Sequence, residues 1–242
     1  MKVIDAFWEQ RNLGVQTKEI VIEENDRLEL VKNELRNIEA EYMVVKIPAG
    51  KMDFMFFAEN LGYHYIESII HVTKKLDNIE LPSLYSRVNQ QVEYGLMNEE
   101  EKEELFIEIK KGLFYTDRIS LDDFFSEEQA SNRYIGWISD ELERGSQLFK
   151  LTYKNEIVGF FALKELENHV FYPFLAGIYP QYQNGPLGTV FNYKTLIEAK
   201  RQNGKKISTY ISTNNSNVIR MHVLYNYQFE NIQYVYIKHK HL

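Results

Sequence analysis

The sequence predicts an α/β protein, of the α+β type, in which helices flank a mixed central sheet. Three observations lead to this fold class. Over the first third of the chain, short apolar runs typical of strands alternate with runs whose apolar residues recur at helical spacing. Three further strand-like runs follow one another between residues 147 and 179, as in an antiparallel meander. Hydrophobic residues make up 44% of the 242 residues, which is enough to bury a core.

The first third of the chain contains five predicted elements. In order they are a strand at 17–24, a helix at 26–41, a strand at 42–49, a helix at 52–60 and a strand at 63–72. Four apolar residues share one face of the first helix: Leu28, Val31, Leu35 and Ile38. Pro48 ends the second strand and Gly62 stops the second helix, so the alternation is regular up to this point.

A polar stretch around 73–87 then predicts a connector. We place a domain boundary within this connector. The prediction is an N-terminal half-domain at 1–80 and a second domain at 81–242.

The second part contains ten predicted elements. They are a strand at 90–96, helices after Asn98 and Ser126, strands at 147–153, 156–166 and 169–179, a helix at 189–200, a strand at 205–213, a helix at 216–225 and a strand at 232–239. The first two helices each begin with a capping box, completed by Glu101 and Gln129. A tight turn at Lys154-Asn155 joins the first two strands of the meander.

The turn at 178–188, with the sequence IYPQYQNGPLG, lies between a predicted strand and a predicted helix. Such a turn can present backbone N–H groups to a phosphate at the start of the helix. Pro186 stands in the middle of the turn and has no N–H to donate. The residues alone leave two interpretations open, a phosphate site with one donor missing and a purely structural turn.

The end of the last helix is predicted from a second pattern. Residues 56–72 and 221–237 both read as a helix, then Gly or Asn, then an aromatic residue, then a strand. A left-handed residue commonly follows a helix, and Gly and Asn are the residues that adopt this conformation most readily. We therefore predict that Gly62 and Asn226 end their helices in the same way. A duplicated half-domain and an ordinary helix-to-strand junction both explain the similarity.

Composition excludes several classes of function. The chain has no cysteine, which excludes disulfides, a thiolate nucleophile and zinc sites built on sulfur. Its formal charge of −7 argues against a nucleic-acid partner. No apolar signal region and no stretch long enough to span a bilayer are recognised, so we expect a cytoplasmic protein with no membrane partner. The histidine pattern predicts no metal site.

The ordered set of motifs resembles the GCN5-related N-acetyltransferases. It consists of the meander, the strand–turn–helix at 178–200 and the segment STYISTNNSNVIRMHVLYNY at 208–227. Segments 7–22, 133–145 and 156–166 are similar to the TDP-fucosamine acetyltransferase branch, which adds an N-terminal half-domain to the family's core. The resemblance covers nearly the whole chain. It implies the family's fold, with acetyl-CoA as co-substrate.

The resemblance also implies a coenzyme A site. Gln183 and Gly188 match the family's turn pattern, in which Pro186 occupies the place of the first glycine. The remaining N–H groups that can reach a diphosphate belong to Asn184, Gly185, Leu187, Gly188 and Thr189. The pantetheine arm pairs in this family with the strand ending at Ile178, whose backbone N–H region holds the acetyl carbonyl, and Gly177 is a suitable place for a bulge.

The family's last helix supplies an asparagine that contacts pantetheine and a tyrosine that protonates the departing thiolate. Two alignments of that helix compete. If Phe229 is the closing aromatic residue, Leu224 occupies the tyrosine position and no acid is present. If Asn226 ends the helix, Asn215 is the motif asparagine and His222 occupies the acid position. The capping argument favours the second alignment, in which His222 is the candidate general acid and Tyr225 the alternative. A structural role for His222 remains open, and no general base is visible on strand 169–179.

The implied function is an acetyl-CoA-dependent N-acetyltransferase acting on a primary amine, most naturally that of a nucleotide-linked amino sugar. Two alternatives stand beside it. One is an N-acetyltransferase for another amine, such as a peptide or small metabolite. The other is a non-catalytic acyl-CoA-binding module, suggested by Pro186 and by the missing tyrosine. Whether the chain forms a homodimer is left open.

Overall fold

The computed structural model describes residues 1–183 and 185–240. Within these residues ten strands form a single sheet. The strands are β1 (Lys2–Asp5), β2 (Thr17–Val21), β3 (Tyr42–Pro48), β4 (His64–Lys75), β5 (Val92–Leu96), β6 (Gln147–Tyr153), β7 (Glu156–Glu165), β8 (Val170–Ile178), β9 (Lys206–Ser212) and β10 (Gln228–His239). The helices described are α1 (Phe7–Leu13), α2 (Leu28–Asn37), α3 (Met52–Asn60), α4 (Ser86–Asn89), α5 (Glu99–Lys110), α6 (Glu127–Glu143), α7 (Leu187–Arg201) and α8 (Ser216–Leu224).

The sheet is mixed, as predicted. Its strand order is β1-β2-β3-β10-β4-β9-β8-β7-β6-β5. The pairs β2–β3 and β8–β9 are parallel, and the other neighbouring pairs in the described chain are antiparallel. The meander β5 to β8 therefore forms one end of the sheet, and β8–β9 is the parallel junction beside it.

Strand β10 lies in the middle of the sheet, although it is the last of the ten described strands. It pairs on one side with β3, through seven residue pairs from Gln233↔Pro48 to His239↔Tyr42. On its other side it pairs with β4, which in turn pairs with β9. The N-terminal and C-terminal parts of the chain thus share one continuous sheet, and the domain boundary near residue 80 stays a prediction.

Helices cover both faces of the sheet. On one face, α7 and α8 pack over β4, β7 and β9 in a core that includes Val72, Phe161 and Val190. On the same face α2 and α3 pack over β3 in a second core around Val31 and Phe54. The opposite face is covered by α5 and α6, with α1 and the segment between α5 and α6 extending the cover over β3 and β10. Both faces of the sheet thus carry helices. No helix within the described ranges is long and apolar enough to cross a membrane.

Most predicted elements are present, and the local signals behave as expected. Both capping boxes form at Asn98 and Ser126. Lys154 and Asn155 adopt positive φ angles of 53° and 65° in the tight turn. The predicted connector is wrong at its start, because β4 continues through Lys75 in a regular ladder with β9. Strand β1 and helix α1 were not predicted, since α1 has seven residues and no side-chain cap to mark its beginning.

The predicted helix ends at Gly62 and Asn226 are confirmed. Their φ angles are 81° and 55°, both left-handed. In each case the N–H of the next tyrosine, Tyr63 or Tyr227, bonds the carbonyl five residues earlier. The N–H of Gly62 or Asn226 itself bonds the carbonyl three residues earlier, which gives the same hydrogen-bond closure at both helix ends.

Candidate functional site

The parallel pairing of β8 with β9 ends after two residue pairs, Val170↔Lys206 and Phe171↔Ile207. Both strands continue beyond this point, β8 to Ile178 and β9 to Ser212. Over their last residues the two strands are thus neighbours without a ladder between them. The result is a splayed gap in the middle of the sheet, with unpaired strand edges facing it.

The splay begins at Pro173. A proline in a central strand has no N–H to give to the ladder, so pairing cannot continue regularly through it. The Pro173 carbonyl accepts a hydrogen bond from the Thr209 hydroxyl at 3.0 Å, where a backbone N–H would bind in a regular ladder. On its other side β8 is irregular at the same place, because its register with β7 shifts between Ala162↔Leu175 and Leu163↔Pro173. The bulged residue is therefore Phe174.

The prediction of a bulge at Gly177 is wrong, because Gly177 pairs regularly with Phe160. Glycine is needed there for close packing. A Cβ at Gly177 would lie 3.1 Å from Leu113 Cδ2, and a Cβ on Gly159, which pairs with Ile178, would lie 2.4 Å from the Gly177 carbonyl oxygen. The bulge falls at Phe174 because the residue before it, Pro173, interrupts the hydrogen bonding.

Ile178, at the end of β8, directs its backbone towards the gap. The N–H of the next residue, Tyr179, donates to the Val158 carbonyl on β7 at 2.9 Å. Because successive amides of a strand point to opposite sides, the Ile178 amide points away from β7 and towards the β9 side. Its carbonyl accepts a hydrogen bond from Gln183 Nε2 at 2.9 Å, so this side chain ties the turn to the strand end.

The turn leads directly into α7. Pro186 is the N-cap residue of α7, its carbonyl accepts from the Val190 N–H, and no side chain caps the helix. The N–H groups of the first turn, from Leu187, Gly188 and Thr189, have no partner within the helix. This end carries the positive part of the helix dipole, which favours an anion. Asn184 lies outside the described residues.

The fold does not require glycine at Gly185 or Gly188. Neither has a left-handed φ, and no heavy atom lies within 4 Å of where a Cβ would be placed on either residue. Gly188 is the second residue of α7, and glycine is a poorer helix former than alanine. Neither backbone strain nor packing accounts for these glycines. A bare backbone at this place suits the close approach of a diphosphate.

Asn215 and His222 make local contacts in α8. The Asn215 side chain is the N-cap of the helix and accepts a hydrogen bond from the Val218 N–H. His222 is 5% exposed, its Nδ1 lies 2.8 Å from the Val218 carbonyl oxygen, and its ring packs edge-on against Tyr227. Burial lowers the pKa of His222 to about 4, although the hydrogen bond to Val218 opposes this. These contacts favour a structural role, and the general-acid role stays a prediction.

Tyr225 lies between α8 and α7. Its hydroxyl donates to the Thr189 carbonyl in the first turns of α7 at 2.7 Å, and the residue is 2% exposed. Burial raises the pKa of Tyr225, so the phenol carries its proton throughout the physiological range. The structure thus links the alternative acid to the helix that follows the turn.

Sequence reasoning missed the pair of residues that opens the gap, Pro173 and Thr209. The available signal was the proline inside an otherwise continuous strand pattern. Its partner could not be read from the sequence, because Thr209 follows 36 residues later and the register of β9 is set in three dimensions. In the described part of the chain no group of three or more His, Asp or Glu residues is arranged to hold a metal ion.

Comparisons with known proteins identify the fold. No family model and no curated protein sequence matches the chain. Among solved structures, a GCN5-related N-acetyltransferase from Sphaerobacter thermophilus matches 98% of this chain and 75% of its own, with a TM-score of 0.62 and 12% identity. A tandem protein of the same superfamily from the clavulanic acid biosynthesis pathway matches 92% of this chain and 75% of its own, with a TM-score of 0.58 and 12% identity.

A third solved structure is a GCN5-related glucosamine N-acetyltransferase region of a fungal multi-domain β-N-acetylglucosaminidase. It matches 82% of this chain and 25% of its own, with a TM-score of 0.63 and 8% identity. At these identities the likeness shows the fold. The chain has the fold of the GCN5-related N-acetyltransferases, as the resemblance implied.

Proposed function

We propose that this protein is an acetyl-CoA-dependent N-acetyltransferase. The observation that carries the proposal is the splay of β8 from β9, followed at once by the turn into the uncapped N-terminus of α7. A gap between two parallel strands accepts an extended chain that can hydrogen-bond to a strand edge. The helix N-terminus beyond it accepts a diphosphate. Coenzyme A carries both groups, an extended pantetheine arm and a diphosphate.

The residues at each end of the gap have separate tasks in this proposal. The first-turn amides of Leu187, Gly188 and Thr189 bind the diphosphate, with Gly185 leaving room beside them. The edge of β8 at Gly177 and Ile178 aligns the pantetheine arm, and the Ile178 amide donates to the acetyl carbonyl oxygen as negative charge develops there. Acetyl-CoA supplies a thioester that a neutral amine can attack. Gln183 holds the turn against the strand end through the Ile178 carbonyl.

We place the proton donor for the departing sulfur on Tyr225. It retains its proton at working pH, and its hydroxyl contacts α7 through Thr189. The alternative, His222, is neutral because burial lowers its pKa to about 4. A neutral imidazole is a weak acid, so the same geometry that stabilises His222 in the fold makes it the poorer donor.

For the acceptor we propose a primary amine, with a nucleotide-linked amino sugar as the first candidate. Two arguments support it: the sequence resemblance, and the fungal structure of the same fold that is described as acting on glucosamine. Another small amine or a peptide is the alternative. The N-terminal half, which supplies β3 and β4 beside β10, belongs to the same functional unit in this proposal.

The direct test is release of free thiol from acetyl-CoA in the presence of a panel of amines, including amino sugars with and without a linked nucleotide. Amine-dependent thiol release supports the proposal. A second candidate function, a non-catalytic acyl-CoA-binding module, is favoured by Pro186 and by the engaged hydroxyl of Tyr225. It predicts that acetyl-CoA raises the melting temperature while no amine in the panel releases thiol.

A further inference from the structure

Ser212 stands at the open end of the gap between β8 and β9. It is the last residue of β9 and pairs with Ile69 on β4. Continuing the parallel register from Phe171↔Ile207 and allowing for the bulge places Ser212 level with Ala176 and Gly177 across the gap. Its hydroxyl donates to the Thr116 carbonyl at 3.2 Å, so the segment between α5 and α6 covers this end of β9.

Glu67 lies beneath the same segment. It is two residues before Ile69 on β4. It is 4% exposed. Its Oε1 accepts a hydrogen bond from the Arg118 backbone N–H at 3.1 Å. Its Oε2 is buried and has no hydrogen-bond partner within the described chain. A buried carboxylate oxygen without a partner is costly, and such atoms in native proteins commonly have a function.

The charges around Glu67 do not neutralise it. The Arg118 guanidinium is directed to two other carboxylates, Glu9 at 2.7 Å and Glu19 at 2.8 Å. From the same segment Asp117 adds a negative charge, and its own carboxylate accepts from the hydroxyls of Tyr134 and Ser120.

The titration of Glu67 follows from these surroundings. Burial raises the pKa of Glu67, and the nearby charge of Asp117 adds to this. The Ser212 hydroxyl, the Arg118 charge and the Arg118 N–H act in the opposite direction. Tyr134, on α6, also faces the carboxyl, and burial raises its own pKa well above the usual range. Glu67 is therefore a carboxyl that gains a proton more readily than an exposed glutamate.

We propose that Glu67 is the proton acceptor for the incoming amine, with the Ser212 hydroxyl relaying the proton. The inference rests on the proposed acetyltransferase function and supplies the general base that strand β8 lacks. It brings an N-terminal residue into the chemistry of the second half, because β4 is the direct neighbour of β9. A relay through a hydroxyl suits a carboxylate that is itself buried away from the gap.

The proton balance of the step is complete. The substrate ammonium gives one proton to the Ser212 oxygen, and the Ser212 hydroxyl turns away from the Thr116 carbonyl to give its own proton to Glu67 Oε2. The free nitrogen pair then forms the C–N bond to the acetyl carbon. As the C–S bond breaks, its electron pair goes to sulfur, which takes the hydroxyl proton of Tyr225. The second nitrogen proton then returns Tyr225 to its protonated form. Glu67 finally releases its proton to solvent.

The test replaces Glu67 by glutamine in the full-length chain. Glu67→Gln keeps the acceptor for the Arg118 N–H and removes the base. We expect amine-dependent thiol release to fall by about 10²-fold, while acetyl-CoA still raises the melting temperature. In the unmodified protein kcat/KM should fall as pH drops through the raised pKa of Glu67, and Glu67→Gln should abolish that part of the profile.

Stability separates this role from a structural one. A charged Glu67 is disfavoured in the fold, so Glu67→Gln should leave the melting temperature at pH 8 unchanged or raise it. A purely structural glutamate predicts a lower melting temperature with unchanged turnover of the folded fraction. Glu198→Gln, a buried glutamate in α7 paired with Arg201, is the matched control and should lose stability without altering the pH profile.

The relay has its own pair of variants. Ser212→Ala should lower the rate about as much as Glu67→Gln, and Ser212→Thr, which keeps a hydroxyl, should retain most of it. Normal rates and pH profiles for Glu67→Gln and Ser212→Ala would overturn the inference and leave the proposed acetyltransferase intact. If the unmodified protein releases no thiol with any amine, the proposed function fails instead, and the inference fails with it.

Discussion

The Thr209 hydroxyl donates a hydrogen bond to the Pro173 carbonyl at 3.0 Å, at the point where the ladder between β8 and β9 stops. Thr209→Val keeps the shape of the side chain and leaves this half-buried carbonyl without its hydroxyl donor. We expect it to destabilise the protein by about 1–3 kcal/mol and to weaken acetyl-CoA binding, since the spacing of the gap is no longer fixed. Thr209→Ser retains the hydroxyl and is the control in urea unfolding and ligand titration.

Gly188 tests the coenzyme A site without damaging the fold. Because a Cβ there meets no atom within 4 Å, Gly188→Leu should fold normally and should gain up to about 1 kcal/mol from its better helix propensity. The same side chain would cover the first-turn amides. The melting-temperature rise that millimolar acetyl-CoA gives the unmodified protein should be lost. Gly95→Leu, at another open position in β5, should keep that rise; equal rises in both variants would argue for a purely structural turn.

His222 should make stability depend on pH in a defined direction. Its pKa is about 4 in the fold and near 6.5 in the unfolded chain, so between these values the unfolded chain binds more protons. Stability should therefore fall as pH drops from 6.5 to 4, by at most about 3 kcal/mol. His222→Asn, which can still donate to the Val218 carbonyl, should flatten this dependence and leave turnover unchanged. A turnover loss of 10²-fold or more in the folded variant would restore His222 as the general acid.

Tyr225→Phe removes the proposed proton donor and its bond to Thr189. We expect turnover to fall by about 10²–10⁴-fold, with a stability loss of about 1 kcal/mol. Tyr227→Phe removes another buried hydroxyl from the same region, 3.4 Å from Asn192 Oδ1, and should affect stability alone. Unfolding and steady-state rates measured on both variants decide the matter: equal rates in the two would exclude Tyr225 as the acid.

Deletion of residues 1–80 tests the proposed half-domain. The deletion removes β3 and β4 and so leaves β10 without either neighbour in the sheet. Exposed strand edges promote aggregation, so we expect the remaining chain to be insoluble or inactive. Expression yield, gel filtration and thiol release measure this outcome. A soluble and fully active fragment would show that the N-terminal half is dispensable.

Local signals allowed much of the fold to be predicted from the sequence. Capping residues such as Ser126 and the left-handed residues Gly62 and Asn226 act over a few neighbours, and a single sequence contains the information they need. The bulge at Phe174 was not predictable in this way, because it depends on Pro173 meeting a hydroxyl from β9. Glu67 was also missed. Glu67 is covered by the segment that contains Arg118, and Ser212 is placed beside its strand by the pairing of β4 with β9, which are more than 130 residues apart.

The central position of β10 constrains how the chain is made. Residues 228–239 are synthesised more than 150 residues after β3 and β4, yet they fill the place between these two strands. Until then β3 and β4 each have a bare edge, and contacts of such long range form slowly. The sheet of the N-terminal half therefore stays incomplete until β10 has been synthesised. During that interval the nascent chain is most exposed to mispairing with other copies of itself.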